Sequence, residues 1–490
     1  MNRQDHIVHG FKATLVARAV YMISSALLMF LLARYLLDPD GYGTLYWVIG
    51  ILAIVQLVAD LGIGKSAARY FSEYSETDPG QIPHLIKSTI TFKIVAIAFV
   101  SFLLLLFHEG IAVALGEPAA APFLAAGVLY VVVFSFGTFT QVAFQGFNNL
   151  VYSAAVQAIS GVARLVFAVA FVLVGLGALG AFFGYVVGYA LAAVVGLVLL
   201  YYKYYARYDP AETYEEGLSR RLLEYSVPLT ATRSANVVDK QIDTVLVGVF
   251  LTPTAVAFYT LGKQISDFVL APAESLGFTI SPNFGEQKAA GQLDEARRIY
   301  ETALTHTMAL YVPAAAGLAI VAGPFITMVF GADYAGAVPV LQILAGFIVL
   351  QAVTNLTSDS LDYLGRARHR AIAKGGTAAA NFGLNLVLIP TIGVVGAALA
   401  TVATHSVYVA VNLYIVHLEL TLPVRRIVRK MVVICGITGV MAAAVLLVTP
   451  LVSSLVMLFG AIALGALTWA VLVVASGLID PRTVRSAISS

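Results

Sequence analysis

The chain has 490 residues, of which 60% are hydrophobic and only 11% charged, and its mean hydropathy is +0.88. A soluble core of this length cannot bury that much apolar surface, so the composition selects a polytopic membrane protein. The net charge of +2 says nothing of nucleic acid, because the basic residues form no single patch and sit at the ends of apolar segments, so no nucleic-acid partner is expected; the single cysteine, Cys435, excludes an intrachain disulfide or a CxxC metal site and reads as a small buried hydrophobe.

The N-terminal MNRQDHIVHG is polar, and no small-residue cleavage site follows the first apolar run, so no cleavable signal is expected. A membrane span needs about 20 apolar residues. Runs of that length predict helices near 11–35, 43–64, 86–108, 119–144, 152–175, 179–202, 223–250, 255–281, 301–329, 335–357, 368–390, 393–417, 428–449 and 453–478. The expected fold class is therefore all-α, with about fourteen transmembrane helices. With the N-terminus in the cytoplasm, most of the 29 basic residues fall in the inner segments, and the outer loops are short and nearly free of them. The positive-inside rule then places both termini in the cytoplasm. The two longest polar stretches, 201–221 and 285–300, lie inside. The second has helical spacing after Pro282 and predicts a short surface helix.

An internal repeat divides the chain. LLDPDGYGTLY (36–46) matches FLTPTAVAFY (250–259), with Pro39 answering Pro253. GLGALGAFFG (175–184) matches TIGVVGAALA (391–400) at nearly the same offset. The organisation read from this is a six-helix half over 1–210, a second over 211–421, and two additional helices with a tail over 422–490. Two parallel six-helix halves are a transporter plan, with the substrate path between them.

The charges inside the predicted bundle are the candidate site. A charge at mid-bilayer costs roughly 2.5–3.5 kcal/mol on insertion scales, so lipid rejects a stripe of them. The bases are Arg18, Arg164, Arg233, Lys240 and Lys263, expected in a central cleft where they bind substrate. The acids are Asp60, Asp239, Asp243, Asp267 and Glu274, expected to couple or gate transport. Asp60 and Glu274 stand 214 apart and Arg18 and Arg233 nearly so, which gives each half a base on its first helix and an acid on its second. Arg18 and Arg233 lack an acid at helical spacing, and an arginine fork suits the oxygens of a diphosphate. Plainer roles compete: Lys263 and Asp267 can pair at i, i+4, Asp239 and Asp243 can pair with Lys240, and Arg164 can bond a carbonyl. Tyr21, Tyr46 and Tyr259 can stack on sugars or pack at helix ends. Gly62, Gly64, Gly375, Gly376, Pro272 and Pro282 are candidate bends.

The chain resembles the polysaccharide flippases of the Wzx type, within the multidrug/oligosaccharidyl-lipid/polysaccharide (MOP) exporter superfamily. The resemblance lies in DKQIDTVLVGVFLTPTAVAFYTLGKQI (239–265), PNFGEQKAAGQLDEARRIYETAL (282–304), FGADYAGAVPVLQILA (330–345) and LIPTIGVVGAALATVAT (388–404). It implies a MATE-like fold in the cytoplasmic membrane and translocation of a lipid-diphosphate-linked oligosaccharide by alternating access. The alternatives are a lipid II-type flippase, a cation-coupled multidrug antiporter and a non-transporting scaffold for glycan assembly. The expected partners are the lipid-linked glycan, membrane lipid, and a glycan polymerase or glycosyltransferase. The sequence has no P-loop, HExxH or CxxC, so no enzymatic role and no cofactor is expected, and the energy would come from a Na+ or H+ gradient or from the substrate itself.

Overall fold

A computed structural model describes residues 3–478, without the side chains of residues 3–13, 231–233, 274–283, 285, 288–289 and 359. Arg233 and Glu274, both expected in the site, therefore lie outside the described residues. All regular structure among the described residues is helical. The chain forms two compact units, Met1–Val249 and Phe250–Ser490. The first holds α1 (Arg3–Leu31), α2 (Pro39–Asp60), α3 (Ile63–Thr77), α4 (Ile82–Ala114), α5 (Ala121–Gly146), α6 (Leu150–Phe171), α7 (Gly177–Leu200) and α8 (Leu218–Phe250). The second holds α9 (Pro253–Ala289), α10 (Leu293–Phe325), α11 (Ala337–Tyr363), α12 (Ala367–Ile392), α13 (Val394–Leu420), α14 (Val424–Val448) and α15 (Leu455–Ala475).

Each of the fourteen predicted runs falls on one of these helices, and α3 is added. Eleven stretches are long and apolar enough to cross a membrane, and one of them, Leu150–Tyr205, contains both α6 and α7. The charged helices α8 and α9 are not among the eleven. Apolar side chains point outward along the spans, as at Phe102, Leu173, Leu447 and Val456. That outward pattern fits a lipid surround, where backbone groups must be satisfied within helices.

Two expectations are corrected. Polar 285–300 is not a separate surface helix: α9 runs on to Ala289 and α10 starts at Leu293, so only three residues intervene. Mixed charge at helical spacing read as a new helix because it continues two long ones past the apolar region. Cys435 is exposed on α14 and not buried, because the buried face of that helix runs through Ile434, Ile437, Thr438, Met441 and Val445.

Local chemistry sets the boundaries. Asp38 caps α2 by accepting from the Gly41 amide at 2.9 Å, with Pro39 in the first turn. The predicted second helix overruns, because α2 stops at Asp60: Leu61 and Gly62 take left-handed φ values of 43° and 64°. A Cβ at Gly62 would also lie 2.8 Å from the Thr230 hydroxyl of α8, so both backbone and space demand glycine. Of the other candidate bends, Gly375 and Gly376 lie inside an unbroken α12, and Pro272 and Pro282 inside an unbroken α9. The repeat has a backbone counterpart. Gly177, where α7 begins, has φ 55° and ψ −143°; Gly393, just before α13, has φ 68° and ψ −151°.

In the first unit α6 and α7 cross closely through Gly184 and Gly188. A Cβ on Gly188 would sit 2.4 Å from Arg164 Cγ, so small residues four apart admit the contact. The core around α3 is aromatic, with Tyr70, Phe71, Phe139 and Phe144 buried together. The polar 206–217 connector is tied down on it. The Ala211 amide donates to the Gly80 carbonyl at 3.0 Å, Gln81 Nε2 donates to the Thr213 carbonyl at 3.0 Å, and the Glu215 amide donates to Gln81 Oε1 at 3.1 Å. The Tyr74 hydroxyl and Arg221 both donate to the Glu215 carboxylate. Burial and the adjacent carboxylate push the Tyr74 phenol up to about 12, so it stays protonated and donates.

Candidate functional site in the helix bundle

Among the described residues Arg164 is the most enclosed of the predicted bases, at 6% exposure on α6. Its guanidinium lies 5.0 Å from the ring centroid of Tyr21 and 5.2 Å from those of Tyr185 and Tyr189. It also donates to the Ser160 carbonyl at 3.2 Å, the Tyr189 hydroxyl at 3.2 Å and Ser25 Oγ at 3.3 Å. Among the described residues no carboxylate joins it. Stacked rings and hydroxyls hold the charge in place of an acid, at roughly 0.5–2 kcal/mol per ring contact. The expected carbonyl bond is present, and the aromatic cage is additional. Tyr46, hydroxyl to hydroxyl with Tyr185 at 2.9 Å, extends the cage, so Tyr21 and Tyr46 belong to one cluster. Arg18 shares a face of α1 with Tyr21 and Ser25 and is exposed, one turn from Tyr21 and two from Ser25.

Asp60 is buried at the C-terminal end of α2, where the helix dipole disfavours a carboxylate. Lys93 of α4 answers it: Nζ lies 2.5 Å from Asp60 Oδ1, with Lys93 fully buried. The Lys93 ammonium also lies 5.7 Å from the Phe139 ring centroid. Lys93 is absent from the charges expected in the bundle, yet the sequence marks it as the one lysine inside the apolar run ITFKIVAIAF. On α8, Asp243 is buried, Asp239 half-buried and Lys240 exposed. Trp47 of α2 donates from Nε1 to the Val245 carbonyl at 3.1 Å, which fixes that end of α8.

In the second unit, Lys263 is half-buried and Asp267 exposed on α9. Tyr259 lies hydroxyl to hydroxyl with Thr401 of α13 at 3.3 Å. An acid also escaped expectation. Glu301 of α10 is buried and accepts from Lys430 at 2.7 Å and Arg426 at 3.5 Å, which pins α14 to α10. Its sequence signal is masked, because RRIYETAL reads as an exposed helix with i, i+3 pairs. Further along the same helices an apolar cavity of about 340 Å³ opens between α9, α10, α14 and α15, lined by Pro313, Gly317, Met441, Val445, Gly465 and Trp469.

Residues 7–275 match the family described as polysaccharide biosynthesis protein, more than half of the chain. The chain belongs to that family. Residues 228–391 also match the MatE family. The probable low-salt glycan biosynthesis flippase Agl15 of Haloferax volcanii is 27% identical over 189 residues, which are 39% of this chain. That match spans 40% of the length of Agl15. Among solved structures, the lipid II flippase MurJ in an inward closed conformation superposes with a TM-score of 0.77 at 16% identity, covering 96% of this chain and 98% of that one. An inward-facing MATE family transporter of the MOP superfamily gives 0.68 at 13% identity, covering 83% of this chain and 98% of that one. At these identities the superpositions establish the fold, which is that of MOP-superfamily transporters.

Proposed function

We propose that the chain is a flippase that moves a lipid-diphosphate-linked oligosaccharide from the inner to the outer leaflet of the cytoplasmic membrane by alternating access. It crosses fourteen times with both termini in the cytoplasm, as two six-helix halves, 1–210 and 211–421, and two further helices over 422–490. The reading is carried by the family match over 7–275 and by the buried Arg164 guanidinium within it, which tyrosines hold and no described carboxylate joins. Such a charge keeps a positive field in an apolar bundle, where an anion is drawn far more strongly than in water. Arg18 and Arg233 bind the diphosphate, and Arg164 orients the tyrosines that face the sugars. Lys240, Lys263, Asp60, Asp239, Asp243, Asp267 and Glu274 form the pairs that break and reform as the path opens, with Na+ or H+ as the coupling ion. The prenyl tail runs along the apolar cavity beside α14 and α15. A glycan polymerase or glycosyltransferase acts on either side of the step.

Mass spectrometry of lipid extracted with the purified protein tests this. A prenyl diphosphate carrying sugars supports the reading. A lipid II-type precursor would move the chain to peptidoglycan, and an extract with no diphosphate-linked glycan would count against both. The MatE match favours one competing mechanism, a cation-coupled multidrug antiporter, which predicts cationic dye transport driven by an imposed ion gradient.

A further inference from the structure

We propose that α12 carries a second diphosphate-binding site, made by Arg370 and Lys374 with Tyr408, which receives the headgroup of the lipid-linked substrate on the second unit. The proposal rests on the flippase reading and adds a station outside the expected cleft charges. The helix has an unusual distribution of residues. Its protein-facing stripe runs Arg370, Lys374, Thr377, Asn381 and Asn385 at steps of three or four, while Ile372, Phe382, Leu386 and Val387 are exposed on the other side. Polar within and apolar without is the arrangement for a membrane helix that lines a path for charge.

The cations at this end of α12 each have a described partner, and Arg370 is held in the geometry of an anion site. Arg366, just before α12, bonds Glu419 of α13 at 2.6 Å through Nε. Arg370 grips Asp362 of α11 with two parallel bonds, Nε to Oδ1 at 2.8 Å and Nη2 to Oδ2 at 2.9 Å. This fork on a carboxylate is the same one that arginine presents to two phosphate oxygens. One turn deeper, a rise of about 6 Å, Lys374 Nζ lies 5.1 Å from the Tyr408 ring centroid. Tyr408 stands beside the His405 ring at 5.7 Å, and its hydroxyl faces Ser358 Oγ at 3.5 Å. The outer arginine is therefore a planar fork, the inner lysine a mobile point charge, and a tyrosine hydroxyl lies beside them. Asp362 is 39% exposed at its side chain, so releasing it to water costs little, whereas Glu419 at 14% stays with Arg366. An arriving diphosphate thus displaces Asp362 from Arg370 and takes its second phosphate to Lys374, while Arg366 remains structural.

The test is titration of inorganic pyrophosphate into the purified full chain in detergent, read by calorimetry. Arg370→Gln and Lys374→Gln should each weaken binding about tenfold or more, the loss of one charge-assisted contact. Asp362→Asn, which removes the competing carboxylate, should tighten it. Arg368→Gln, on the exposed side of the same turn, should leave it unchanged and controls for bulk charge. The pair Arg370→Gln with Asp362→Asn strands no carboxylate and serves if the single variant does not fold. Equal affinity in the Arg370 and Lys374 variants, or an equal loss in Arg368→Gln, overturns the site without touching the flippase reading. Weakened binding in the Arg370 and Lys374 variants, beside a wild-type protein that flips no lipid-linked glycan in liposomes, would instead keep the anion site and reject the flippase.

Discussion

Lys93→Met tests how the interior of the first unit is held. The ammonium is fully buried and lies 2.5 Å from Asp60, itself buried. Two unit charges at that distance attract by about 7 kcal/mol at an effective dielectric of 20, before either is charged for leaving water. Removing one member leaves the other in the bundle, and such losses run at roughly 3–5 kcal/mol. Methionine keeps the length and packing of the lysine stem, so the loss is electrostatic. The expected result is a destabilisation of that size for Lys93→Met, by thermal or denaturant unfolding in one fixed detergent. The double variant with Asp60→Asn should recover at least half of it, since no stranded charge remains. The two substitutions must therefore be strongly non-additive. A Lys93→Met protein as stable as the parent, or two losses that simply add, would refute the pairing as a source of stability.

Three further outcomes follow from the same coordinates. Tyr74 and Arg221 hold the Glu215 carboxyl below its usual range; a depressed carboxyl contributes stability above that range and loses it as pH falls through its folded value. Amide protection over 211–217, relative to intrinsic exchange at each pH, should accordingly fall on acidification, and Glu215→Gln should flatten that dependence. Gly188→Ala forces a Cβ to 2.4 Å from Arg164 Cγ, an overpacking that should cost about 1–3 kcal/mol in unfolding assays and disturb the tyrosine cage. Gly317→Leu fills part of the 340 Å³ cavity, and transport of a long-prenyl substrate should fall while thermal stability is kept.

The helices were legible because lipid imposes a simple rule, about 20 apolar residues per crossing. Gly177 and Gly393, matched in the sequence, take nearly the same positive-φ conformation, which is one that glycine adopts readily and other residues do not. What escaped was pairing. Lys93 and Asp60 lie 33 residues apart on α4 and α2, and Glu301 and Lys430 lie on helices separated by three others, so no spacing within one helix reveals them. Arg164 was visible as an intramembrane charge, but its three tyrosines come from α1 and α7. The polar stripe of α12 was read instead as loop charge, because Arg366, Arg370 and Lys374 sit at the start of a weakly apolar run. The end of α2 at Asp60 depends on the approach of α8 at Gly62, a tertiary contact.

The central claim is movement of a prenyl-diphosphate oligosaccharide by this chain alone. The most direct measurement reconstitutes the purified protein in liposomes with such a lipid, labelled on its sugar, and follows accessibility of the label to an external enzyme. The account predicts transfer between leaflets without ATP, lost in Arg18→Ala and Arg233→Ala proteins that insert normally. Equal transfer in those variants, or no transfer from a protein that instead exchanges cationic dyes for H+ or Na+, would contradict it.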